Sequence, residues 1–147
     1  ARVQALAYPT EAAEAGLAKA QYNVAMLHYE GVGLEEPDLV GHAYWLKSAA
    51  AGGHVLAQYR LGDMLLSGAV VKKNETWAAE YFELAAEQGH ARAQEAIGLM
   101  YRTGTGVELD TGVAASWLAK AADQGDAMAA YTLGCMLRGG ESGAPVT

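Results

Sequence analysis

Apolar residues in this chain recur three and four positions apart. Ala20, Val24 and Leu27 form one such edge, and the set returns as Ala57, Leu61 and Met64, as Ala93, Ile97 and Met100, and as Ala129, Leu133 and Met136. This spacing marks one face of an α-helix. It predicts a first kind of helix, helix A, over about 17–30, 54–67, 90–103 and 126–138. A second kind, helix B, is expected over about 38–51, 74–87 and 110–123. Gly31, Gly68, Gly104 and Gly139 stand where helix A should stop, a role glycine fills by accepting a left-handed backbone. Asp38, Asn74 and Asp110 occupy equivalent places before helix B. Their side-chain oxygens suit an N-cap, which accepts an otherwise unpaired first-turn N–H.

The helices repeat in phase. Ala20-Gln21-Tyr22 returns as Ala57-Gln58-Tyr59, Ala93-Gln94-Glu95 and Ala129-Ala130-Tyr131, at offsets of 37, 36 and 36 residues. Tyr8, Trp45, Tyr81 and Trp117 form a second ladder, and the alanine pairs at 12–13, 49–50, 85–86 and 121–122 a third. Gly16, Gly53, Gly89 and Gly125 close each unit. The one extra residue falls in the loop Leu34-Glu35-Glu36-Pro37, where insertions are tolerated. A single helix pair cannot bury both of its apolar sides, so units of this length stack. The alanine pairs, with Ala25, Gly62, Gly98 and Gly134 of helix A, leave room for close backbone approach. The Trp or Tyr of helix B is expected to fill the remaining volume, worth on the order of 5 kcal/mol before entropy is subtracted.

Both ends depart from the pattern. Residues 1–15 read as a degenerate helix B in which Pro9 kinks or delays the helix. The stretch Gly139-Gly140-Glu141-Ser142-Gly143-Ala144-Pro145 cannot supply a helix B. The last helix A is therefore expected to keep an uncovered apolar side unless another chain or further sequence covers it.

Composition narrows the function. The chain has 147 residues, 52% of them apolar, a size for one domain and far too apolar for disorder. No apolar run reaches the roughly 20 residues of a membrane helix, so membrane insertion is not expected. The opening Ala1-Arg2-Val3-Gln4 has no initiator Met and no signal peptide, and reads as part of something longer whose compartment is not written here. The net charge is −7, and Lys72-Lys73 is the only adjacent basic pair. Nucleic-acid binding, which calls for a basic stripe, is not expected. The single cysteine, Cys135, cannot form an internal disulfide.

These repeats resemble the Sel-one-like repeat (SLR), a relative of the tetratricopeptide repeat. The family's unit looks like A-x-A-Q-x-x-L-G-x-x-Y-x-x-G-x-G-V, followed by a helix with a central W-Y/F/L and a closing A-A-x-x-G. The chain carries Ala18, Ala20 and Gln21, Gly31 and Gly33, Trp45-Leu46, and Ala49-Ala50 before Gly53. It carries Ala91, Ala93 and Gln94, Ile97-Gly98, Tyr101, Gly104, Gly106-Val107, Trp117-Leu118, and Ala121-Ala122 before Gly125. His28 and Leu65 replace the family's Tyr, and Val70 its second loop glycine. The resemblance covers nearly all of residues 10–140. It implies an all-α fold, a right-handed α-solenoid of about three and a half helix–turn–helix repeats. That domain would span 1–140, with repeats at about 16–52, 53–88 and 89–124, half-repeats at both ends, and a flexible tail at 141–147. It also implies an adaptor or scaffold that binds a protein or peptide. A cysteine-rich branch linked to penicillin binding has paired cysteines that this chain lacks.

By similarity to tetratricopeptide arrays, helix A lines a concave side. The positions expected to face it are Lys19, Tyr22, Met26 and Tyr29; Leu56, Tyr59, Asp63 and Leu66; Arg92, Glu95, Leu99 and Arg102; and Met128, Tyr131, Cys135 and Arg138. Tyr22, Tyr59 and Tyr131 either grip a partner, since Tyr and Arg are enriched at binding hot spots, or fill gaps between neighbouring A helices. His54 and His90 stand one repeat apart at helix starts. A separation of about 10 Å is too wide for one zinc with bonds of about 2.1 Å, so no metal is expected. No cofactor is expected either: the glycines at 31, 33, 104 and 106 follow helices, whereas phosphate loops follow strands. Cys135 has no His near it in sequence, and no nucleophile, base and orienting group come together, so catalysis is not expected. Asn74-Glu75-Thr76 matches a glycosylation sequon, although a capping role would occupy Asn74. Trp77 lies outside the aromatic ladder, either exposed as a contact point or packed on a neighbouring helix. Two other functions compete with the scaffold: self-association through an uncapped C-terminal end, and a cell-wall or polysaccharide-linked ligand binder or enzyme.

Overall fold

The computed structural model describes residues 16–139. The expected behaviour of Tyr8, Pro9 and the 12–13 alanine pair, and of the 141–147 tail, lies outside those residues. Seven α-helices and no strand occur among the described residues. They are α1 (Ala18–Glu30), α2 (Leu39–Ala51), α3 (Val55–Ser67), α4 (Glu75–Glu87), α5 (Ala91–Thr103), α6 (Thr111–Asp123) and α7 (Ala127–Gly139). The odd-numbered helices are helix A and the even-numbered ones helix B, three pairs and one further helix A. The fold is thus an all-α helical repeat of the solenoid class. Each helix begins one residue after the expected position, because that position is its cap.

The caps follow the repeat. Asp38, Asn74 and Asp110 accept from the backbone N–H of Gly41, Trp77 and Val113 at 2.9, 3.0 and 3.1 Å. Asn74 is therefore engaged as a cap. Gly31, Gly68 and Gly104 end α1, α3 and α5 with φ of 75°, 71° and 73°. Gly139 is the last described residue and lies within α7, so its expected role as a stop falls outside the described residues.

Two compact units divide the chain after Lys73. In the first, α1 packs on α2 and α2 on α3; in the second, α4, α5, α6 and α7 each pack on the next. The core of the first unit gathers Val24, Ala25, Leu46 and Leu61, and that of the second Phe82, Ile97, Leu118 and Met136, all at most 1% exposed. The aromatic ladder is not the anchor that the sequence suggests. Trp45, Tyr81 and Trp117 are only partly buried, while the next residues, Leu46, Phe82 and Leu118, are fully enclosed. One step along a helix turns a side chain by about 100°, which carries the Trp position to the edge of the stripe that holds the alanine pair.

The motif glutamines have a structural task. Gln58 Nε2 donates to the carbonyl of Ala50 at 3.3 Å, and Gln94 Nε2 to that of Ala86 at 3.2 Å. Each acceptor lies in the last turn of the preceding helix B, whose carbonyls have no partner within the helix. Both glutamines are buried. Their bonds tie each repeat to the next within its unit.

Candidate protein-docking faces

Helix periodicity places residues 19, 22, 26 and 29 of α1 on one side of that helix, and the equivalent sets on α3, α5 and α7 follow the same spacing. Every residue expected on these faces is at least partly exposed, whereas the apolar edges of the same helices are largely buried. In the first unit the face comprises Lys19, Tyr22, Met26 and Tyr29 on α1 and Leu56, Tyr59, Asp63 and Leu66 on α3. In the second it comprises Arg92, Glu95, Leu99 and Arg102 on α5 and Met128, Tyr131, Cys135 and Arg138 on α7. The most open large apolar groups are Tyr131 at 67%, Met128 at 60%, Tyr29 at 50% and Leu56 at 43% exposed.

Tyr22 is held between successive A helices. Its ring stacks on His54 with centroids 4.4 Å apart, and its hydroxyl accepts from Arg60 Nε at 3.0 Å. The gap-filling role therefore applies to Tyr22. Tyr29 stands over His42, ring centroids 5.1 Å apart, and His42 is itself buried with Nδ1 2.7 Å from the Ala25 carbonyl. A carbonyl only accepts, so Nδ1 carries the proton. Arg60 and His54 belong to this site and were absent from the expected set. Their signal was His54 itself, which recurs as His90 and Asp126 one repeat apart.

Those three residues are the N-caps of α3, α5 and α7. His54 Nδ1 accepts from Ala57 N–H at 3.3 Å, His90 Nδ1 from Ala93 N–H at 3.1 Å, and Asp126 Oδ1 from Ala129 N–H at 3.0 Å. Burial lowers the pKa of His54, and Lys19 adds to the effect; burial and then Arg92 do the same at His90. Both histidines thus keep the neutral form that capping requires. In the second unit Glu95 holds the place of Tyr22 and hydrogen-bonds Asp126. Burial raises the Glu95 carboxyl, and Asp126 raises it further.

The remaining chemistry is sparse. Cys135 Sγ accepts from Arg138 at 3.4 Å. No group of three or more His, Cys, Asp or Glu side chains fit to hold a metal occurs among the described residues. No helix among them is long and apolar enough to cross a membrane. The Asp38 carboxyl, held down chiefly by the Gly41 N–H, lies 3.2 Å from His28 Nδ1 and serves the α1–α2 turn.

Comparison with known proteins gives a consistent result. The Sel1 repeat model matches residues 18–54, 55–90 and 91–126. The crystal structure of a Sel1 repeat protein from Oxalobacter formigenes is 37% identical, covers 85% of this chain and 93% of that one, and superposes with a TM-score of 0.78. The structure of c5321, a protective antigen of uropathogenic Escherichia coli with an SLR fold, is 36% identical with a TM-score of 0.84. It covers 93% of this chain, which spans only 29% of that protein. Helicobacter pylori cysteine rich protein B shares the fold at 20% identity and a TM-score of 0.64, over 88% of this chain and 92% of its own. All three come from bacteria. No curated protein matches the sequence.

Proposed function

The chain belongs to the Sel1 repeat family, and from that premise we propose that it is a docking module that holds a protein or peptide on the exposed faces of its A helices. Repeats of this family are generally protein-interaction modules. The observation that carries the assignment to these faces is the exposure of Tyr29, Leu56, Met128 and Tyr131 on helices whose other sides are packed. Large apolar side chains left open together mark surfaces where partners dock. Lys19, Arg92, Arg102 and Arg138 add charge that orients a partner and selects among candidates. Tyr22 acts here by fixing Arg60 and His54, so the contact area comes from its more exposed neighbours.

The chain binds and does not catalyse. Support comes from how its reactive groups are used: His54 and His90 cap helices, and Cys135 accepts from an arginine without a base beside it. The partner is a protein or peptide, not a nucleic acid, in keeping with the net charge of −7.

A variant carrying Tyr29→Ala, Leu56→Ala, Met128→Ala and Tyr131→Ala tests this. It should melt within a few degrees of the parent, since partly exposed truncations cost little. It should lose the proteins that the parent chain retains from an extract of its own source organism. Undiminished retention by the folded variant would contradict the assignment.

A further inference from the structure

Two patches on the B helices, one of them including Trp77, play no part in the docking faces. On the first unit, Val40, Ala43 and Tyr44 of α2 and Val70 and Val71 of the loop after α3 line an open hollow of about 400 Å³ together with Lys47 and Lys72. Val40 is 77% and Tyr44 63% exposed. No acidic side chain is among the lining residues, although acidic residues outnumber basic ones 17 to 10 in the chain.

The second unit carries the opposite surface. Glu80, Glu83, Leu84 and Glu87 of α4 line a shallow depression. Trp77 lies on the same stripe, because positions 77, 80, 84 and 87 fall on one side of a helix. Trp77 is 56% and Leu84 43% exposed. One unit thus shows apolar groups flanked by lysines, and the other shows apolar groups flanked by glutamates.

We propose that a second copy of this chain seats the exposed Trp77 and Leu84 stripe of its α4 against the α2 hollow. Trp77 and Leu84 would meet Val40, Tyr44 and Val70, with Glu80 and Glu87 facing Lys47 and Lys72. The occupant is a second copy because the chain itself displays both complementary surfaces. The contact joins unlike patches, so it either closes as a reciprocal pair or continues into a chain of copies. A patch this small gives a weak association, and its charge component is screened by salt.

The test is a charge exchange read by sedimentation and light scattering at high protein concentration. The parent chain should show a mass above its monomer value of 15.4 kDa at low salt and approach that value at high salt. A Lys47→Glu, Lys72→Glu variant should stay monomeric, with association weakened about tenfold or more. A Glu80→Lys, Glu87→Lys variant should do the same. All four side chains are exposed, so both variants should keep the parent's helical spectrum and melting temperature. Mixing the two variants should restore association, since each α2 hollow then meets an α4 stripe of opposite sign. Both retain a net negative charge, so unspecific attraction does not bring them together. A strictly monomeric parent at low salt overturns the proposal. So does association that survives in either variant alone, or a mixture that stays monomeric.

Discussion

Gly98 and Gly134 hold the same place one repeat apart, and their surroundings differ completely. A Cβ at Gly98 would sit 2.8 Å from Leu118 Cγ and 3.3 Å from the Ala114 carbonyl oxygen. A Cβ at Gly134 would meet nothing within 4 Å. Overpacking a close helix contact costs about 1–3 kcal/mol, whereas replacing an interior helical glycine by alanine gains about 1 kcal/mol. Gly98→Ala should therefore lower the melting temperature by several degrees, and Gly134→Ala should raise it. Thermal melts of the two single variants check this; a stabilised Gly98→Ala would show that α5 and α6 do not approach as described. The expectation that all of these small residues serve close approach thus holds at Gly98 and fails at Gly134. Sequence gives both glycines the same register and says nothing of whether a neighbour stands against them. The same limit explains the aromatic ladder. Trp45 and Leu46 are adjacent and both apolar, and only the packed structure tells which of the two is enclosed.

At the scale of elements, helix boundaries were legible because their chemistry repeats: an Asx residue opens each helix B, and a left-handed glycine closes α1, α3 and α5. The caps of α3 and α5 were harder to see because histidine caps less often than Asp or Asn. The His54 and His90 caps also make stability depend on pH. Their folded pKa values lie below the unfolded value of about 6.5, so the fold favours the neutral form. Their contribution is present above about pH 6.5 and is lost as the pH falls through the lower folded value. Urea unfolding between about pH 7 and pH 5 should show the parent losing stability faster than a His54→Asn, His90→Asn variant, whose caps do not titrate in that window. Equal slopes would mean that the imidazoles do not cap. The second loop shows a further element-level difference. Gly33 and Gly106 both take positive φ, and a Cβ at Gly106 would run into the Glu75 carbonyl. Val70 stands at the equivalent place, and no residue other than glycine has positive φ among the described residues. That loop therefore takes its own path and leaves Val70 and Val71 lining the α2 hollow.

For the molecule as a whole, repetition made the fold readable, because four ladders at one period mark a stacked helical array. Function was less readable, since docking faces are built from positions that vary between repeats: Tyr22, Tyr59, Glu95 and Tyr131 share a register and differ in chemistry. Exposure distinguishes their roles, with Tyr22 engaged by its neighbours and Tyr131 open. The most direct measurement is photo-crosslinking in the source organism, with a photoreactive phenylalanine at Tyr131 on a helix-A face or at the exposed Ser116 on helix B. A docking module of the kind proposed gives a defined partner adduct from position 131 and little or none from position 116. Adducts from position 116 alone, with none from position 131, would contradict it.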